Sequence, residues 1–281
     1  NWYHNVMTLL RNWYFVQTAA INPLAQTTDF DDAVMGELIR FVAAHEVGHT
    51  LGLPHNMGSS VAYPVDSLRS PYFTATHGTA PSIMDYARFN YVAQPGDGVK
   101  NYGAKIGEYD VWSIIYGYKL IPTASSAAAE RKILNQWIKE KAGDPAYRFG
   151  AQQWRTIDPS SQTEDLGDDA VKASEYGIAN LKRIVPNLID WSKEEAKNYD
   201  DLSELYGQIF SQLGRYMGHV SNNVGGVYKF SKTNDESGDV FRHVPKDRQA
   251  AAVAFLNTEL FETPEWLINP KILNRIESTG I

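Results

Sequence analysis

Cysteine is absent from the 281-residue chain. That excludes disulfide staples and thiolate ligands, so any bound metal must be held by His, Asp, Glu or Tyr. Positive charge is scarce: 26 Lys and Arg stand against 33 Asp and Glu, a net charge of −7. The absence of a basic stripe to neutralise phosphates argues against a nucleic-acid partner. Long apolar runs are missing as well, and none approaches the roughly 20 residues of a membrane-spanning helix. The opening "NWYHNVMTLL" has no charged leader region and no initiator Met. The chain therefore reads as processed, or as a piece of a longer protein. Tyr and Trp are plentiful, 16 and 7, which suits a polar cleft and amphipathic packing. The length suffices for one large domain or two modest ones.

Residues 1–22 carry apolar side chains at mixed spacing, compatible with a helix or a buried strand. "PLAQTTDFDD" is a polar break in which Asp31 or Asp32 can cap the next helix. From Ala33 to Leu51, Val34, Leu38, Phe41, Val42 and His45 recur at spacings of three and four, the pattern of a helix. Gly52 ends it and Pro54 forbids its continuation. Residues 56–101 are rich in Gly, Pro, Ser, Asn and Tyr, a long irregular stretch of the kind that wraps a site. Helical spacing returns at 106–121, 125–143, 169–184, 201–219, 246–261 and 264–278. A β-hairpin is expected near 224–244, with "SKTNDESG" between its strands. The expected fold is mainly α with minor β. A boundary near Pro122 would separate a catalytic part, 1–121, from a mostly helical extension, 122–281.

One stretch carries chemistry: "HEVGHTLGLPH", His45 to His55. Residues four apart share a helix face, so His45 and His49 point the same way and can grip one zinc ion through neutral imidazoles. Glu46 lies about 100° round the helix, beside the metal, where a carboxylate can act as general base toward water activated by zinc. A catalytic zinc needs a third ligand and an open position. His55 cannot be reached by continuing the helix, since six residues add about 600° of rotation and about 9 Å of rise. The chain must fold back, and Gly52 permits the positive φ that this requires.

His45-Glu46-x-x-His49-x-x-Gly52-x-x-His55 resembles the extended zinc signature of the metzincin metallopeptidases. "SIMDY", 82–86, resembles that clan's methionine turn, with Met84 as the Met beneath the ligands. The Ser-x-Met-x-Tyr form is similar to that of the astacin and serralysin branch, which implies Tyr86 as a zinc ligand or oxyanion partner. With "EDLGDDAVKASEYGIANLKRIVPNL" and "RQAAAVAFLNTELFETPEWL", the chain resembles the zinc-dependent peptidase (Met-zincin) domain of large bacterial exported proteins. The resemblance implies a metzincin-like core, one catalytic Zn2+, a polypeptide substrate and an extracytoplasmic location. Metzincins place a mixed sheet before the active-site helix, but only 44 residues precede His45. Most of that sheet is expected to be missing or supplied by an upstream segment of the parent protein. Alone, the chain is then expected to be weak or inactive.

Other residues admit duller readings. His4, His77, His219 and His243 read as surface or structural, although His77, in the loop before the Met turn, can line the cleft. Asn56 is expected to fix the loop after the third ligand, and Asp85 to hydrogen-bond a ligand's second nitrogen. Asp158, Glu164, Asp165, Asp168 and Asp169 invite Ca2+, but N-capping by Asp168 accounts for them better. Glu108 is an alternative third ligand of the gluzincin type. A non-catalytic module that binds polypeptide or glycan through Trp112, Trp137 and Trp154 is the rival to an enzyme.

Overall fold

In a computed structural model the described residues, 4–277, are mainly helical. In chain order they form α1 (His4–Thr18), α2 (Asp32–Thr50), α3 (Pro71–His77), α4 (Glu108–Tyr118), α5 (Ala127–Lys141), α6 (Ala170–Ile184), α7 (Leu188–Trp191) and α8 (Asp200–Ser221). Strands β1 (Val227–Lys229) and β2 (Phe241–His243) follow, then α9 (Lys246–Glu259) and α10 (Pro270–Ile276). The two strands pair antiparallel in the expected hairpin, with Tyr228 opposite Arg242, and are the only sheet among the described residues. No described helix is long and apolar enough to cross a membrane.

The N-terminal stretch resolves as a helix. Its spacing was ambiguous because α1 is covered on several sides, packing against α2, α6 and α8. Leu10, Phe15, Val16 and Ala19 are buried, and so are Asn12 and Gln17. Arg11 ties the exposed edge to Asp201 (2.8 Å) and Glu204 (3.1 Å) on α8. His4 opens this helix, but its side chain lies outside the described residues. The helix expected over 264–278 divides into a short turn, Glu265–Leu267, and α10. Asn269 caps α10 through the Lys271 N–H, and Pro270 begins it, which fits proline's fixed φ and missing donor. Ser278 lies outside the described residues.

α6 and α8 form the centre of the helical half. On α6, Ala173, Ile178, Leu181 and Ile184 are buried; on α8, Leu202, Leu205, Ile209, Tyr216 and Val220 are. These faces do not enclose a core of their own. One continuous apolar cluster joins them to Leu10 and Phe15 of α1, Val34 and Leu38 of α2, and Leu68, Ile83, Met84 and Tyr91 of the long loop. The boundary at Pro122 therefore does not separate two cores.

The stretch from 56 to 101 is irregular but not loose. Apart from α3 it has no extended regular element, yet Met57, Leu68, Met84, Tyr91 and Val92 are fully covered. Buried backbone must find partners, and here side-chain amides supply them. Asn180 of α6 donates to Tyr91 O and Ala93 O (both 2.9 Å), and Asn90 accepts from the Val92 and Ala93 N–H groups. Arg69 grips Asp97 with two hydrogen bonds of 2.8 Å, and the Gln94 N–H donates to the same carboxylate. Arg69 holds the Asp97 carboxyl below its usual range. A depressed native pKa stabilises the fold above the unfolded pKa, and that contribution is lost as pH falls through the native value. We expect Asp97→Asn to cost about 1 kcal/mol at pH 7, with the gap to wild type closing as pH falls from about 5 through the lowered native value. Urea midpoints across that range check it; a constant gap would show that the ion pair is not the source.

Candidate metal centre

α2 delivers the first two histidines. Asp31 caps it by accepting from the Val34 N–H (2.8 Å), and Asp32 is its first residue. The helix ends as expected: the Leu51 and Leu53 N–H groups both reach back to Gly48 O (3.1 Å), and Gly52 takes φ +84°. Any other residue there would be strained. The fold-back returns His55 to His45 and His49. The ligand nitrogens of the three all lie within 4.8 Å of one another, the only such group of His and carboxylate ligands among the described residues.

The second nitrogen of each ring is committed. His45 Nδ1 donates to Ile83 O (2.7 Å), His49 Nδ1 to Leu53 O (2.9 Å) and His55 Nδ1 to Gln152 Oε1 (2.9 Å). These oxygens can only accept, so Nδ1 carries the hydrogen and Nε2 the lone pair. His49 Nε2 and His55 Nε2 then face each other at 3.1 Å. Two lone pairs so close repel unless a cation or proton lies between them. His45 Nε2 is buried with no hydrogen-bond partner among the described residues, a cost few folds tolerate without reason. Burial lowers the His45 pKa, against the opposing pull of the Ile83 O hydrogen bond, and keeps the ring in its neutral, ligating form. The donor set fits a divalent metal of the zinc type.

The turn at 82–86 packs against this arrangement. Met84 is fully buried and packs so tightly on α2 that a Cβ on Gly48 would lie 2.2 Å from its sulfur. Ile83 O orients His45, and Met84 O accepts the Asn56 N–H (3.1 Å), which fixes the residue after His55. The turn is itself fastened by Asp110, on the first turn of α4. Its carboxylate accepts from Ser82 Oγ (2.6 Å), the Ile83 N–H (2.8 Å) and the Gly107 N–H (2.9 Å). Burial pushes the Asp110 carboxyl upward against these three bonds.

Tyr86 borders two of the three histidines. Its ring stacks on His45 at 5.3 Å between centroids and lies 4.5 Å from that of His55. The Arg88 guanidinium covers the Tyr86 ring at 4.5 Å and the Trp13 ring at 3.8 Å. Burial raises the Tyr86 pKa; Arg88 pulls it down, while Glu46 and Glu164 push it up. Glu46 is solvent-exposed, and its charge is felt by both His45 and Tyr86.

Several expectations need correction. Asp85 contacts none of the three Nδ1 atoms; it is buried away from them and accepts the Ser60 N–H (2.7 Å). Glu108 is absent from the metal-type cluster because Tyr63 (2.8 Å) and His77 (2.7 Å) engage its carboxylate. The same bond accounts for His77. His219 is a buried structural histidine bonded to Thr163 O, and His243 is exposed on β2. The Ca2+ reading fails because the acids diverge. Asp158 pairs with Arg148, Glu164 with Arg88 and Arg215, and Asp165 accepts from Ser60. Asp168 accepts the Val65 N–H, and Asp169, not Asp168, caps α6. Of the three tryptophans, only Trp112 lines the cavity of about 680 Å³ beside Leu53 and Pro54, with Tyr109, Tyr116 and Tyr147. Trp154 stands in solvent, and Trp137 faces Lys119 Nζ. Asn56 bonds Ser59, Arg148 O and the Gly58 and Gly150 N–H groups.

Gln152, Asp110 and Arg88 were not anticipated. Gln152 is 97 residues from His55, and no local pattern links them. Asp110 had a signal: an acid at the third position of a helix commonly reaches back to the chain before it. Neither a curated protein nor a solved structure gives a significant match to the chain. A family model described as Met-zincin matches residues 27–281, from before α2 to the C-terminus. With three histidines converging over a buried methionine, the chain belongs to the Met-zincin family.

Proposed function

We propose that the chain is a zinc-dependent metallopeptidase that hydrolyses peptide bonds. The observation that carries this reading is the convergence of three Nε2 lone pairs whose Nδ1 partners are already fixed. His45, His49 and His55 would hold the ion. When bound, zinc supplies a Lewis acid that polarises the scissile carbonyl and acidifies water. Glu46 accepts the proton of the attacking water and passes it to the leaving amine, so one carboxylate serves as base and then acid. The Tyr86 hydroxyl donates a hydrogen bond to the carbonyl oxygen as negative charge grows there. The raised Tyr86 pKa supports a phenol that keeps its proton for this purpose.

The test is metal analysis with digestion. Protein purified in zinc should carry about one equivalent and cleave members of a mixed peptide library. Chelation should stop cleavage, and added zinc should restore it. Bound zinc without cleavage would point instead to a module that only binds polypeptide; no bound metal would remove both readings.

A further inference from the structure

Two of the three metal-site histidines are oriented by backbone carbonyls close by in the fold. His55 differs, because a side chain from the helical half orients it. Gln152 arrives there on a strap, residues 148–152, that is fastened along the ligand loop. Asn56 Nδ2 donates to Arg148 O (2.9 Å), the Gly150 N–H donates to Asn56 Oδ1 (2.8 Å), and the Met57 N–H donates to Gly150 O (2.7 Å). The backbones approach so closely that a Cβ on Gly150 would lie 2.7 Å from Gly58 N. The far end of the strap is fixed as well. Arg148 bonds Ser160 O (2.7 Å) and the Asp158 carboxylate (3.0 Å), and Asp158 accepts the Lys229 N–H of β1 (2.9 Å).

We propose that Gln152 is a positioning residue for the third metal ligand, so that residues beyond Pro122 complete the metal site. The inference rests on the metal reading of the three histidines. An acceptor on Nδ1 sets the tautomer, fixes the ring and makes Nε2 a better donor to metal. Because Gln152 is exposed, water can replace part of what its removal takes away, which places the effect at the lower end of the usual range.

Zinc affinity, measured by competition with a chromophoric chelator on the full chain, tests this without any substrate. Gln152→Ala should weaken zinc binding about tenfold while leaving the melting temperature of the metal-free protein unchanged. Gln152→Glu should bind zinc at least as tightly as wild type, because a carboxylate is a stronger acceptor. An alanine variant that binds as tightly as wild type would overturn the assignment. So would a glutamate variant as weak as alanine, since the residue would then only fill space. If wild type itself binds no zinc, the metal reading has failed rather than this inference.

Discussion

Glu46→Gln is expected to keep its zinc and lose about a thousandfold or more in peptide turnover. The substitution preserves volume and removes only the capacity to accept a proton. Glu46 sits between the two helical ligands, one residue after His45 and three before His49, so its own backbone is as rigid as the site. Its side chain is exposed and no described residue anchors it, so stability should change by less than about 0.5 kcal/mol. The Nε2 cluster is untouched, because each ligand is oriented from elsewhere: Ile83 O, Leu53 O and Gln152. Parental turnover in the zinc-loaded variant would remove Glu46 as the base. Loss of zinc together with turnover would make it a structural residue, and the mechanism would again need another proton carrier.

The site was more legible than its support. His45, His49, Gly52 and His55 belong to one helix and its stop, where the 3.6-residue period and the conformational freedom of glycine determine which side chains can meet. Met84 and Tyr86 were singled out only by resemblance, since nothing in the spacing of "SIMDY" says which helix it packs against. The partners that orient the ligands are non-local. Asp110 and Gln152 reach the site through hydrogen bonds spanning 27 and 97 residues, and no periodicity encodes them. The same reason applies to the packing shared across Pro122. A change from loop-rich to helix-rich composition is visible in the chain, but the shared core of α1, α6, α8 and the long loop is not. The acidic cluster did not say which residue caps α6, Asp169 rather than Asp168, because composition records charge without direction. Each of those carboxylates has its own cation, N–H or hydroxyl.

Asp110→Ala should have the largest effect on stability, about 3–5 kcal/mol, and should carry zinc affinity down with it. The carboxylate is buried, and its removal leaves the Ile83 and Gly107 N–H groups and the Ser82 hydroxyl without their acceptor. Water has little access to replace it. Asp110→Asn separates charge from connectivity. Both N–H groups bond Oδ2, so an amide oxygen placed there retains two of the three contacts. Ser82 Oγ, which already accepts the Met84 N–H (3.0 Å), would then face an amide donor in place of an acceptor. We expect about 1–2 kcal/mol for Asn, the cost of one frustrated hydroxyl. Urea unfolding of the metal-free variants ranks the two substitutions, and chelator competition under native conditions reads the metal site. The two effects are linked because the turn that Asp110 fastens presents Ile83 O to His45 and Met84 O to Asn56. If Asp110→Ala destabilised the chain yet the folded fraction bound zinc at wild-type affinity, the link would fail: the turn would still present Ile83 O to His45 without Asp110.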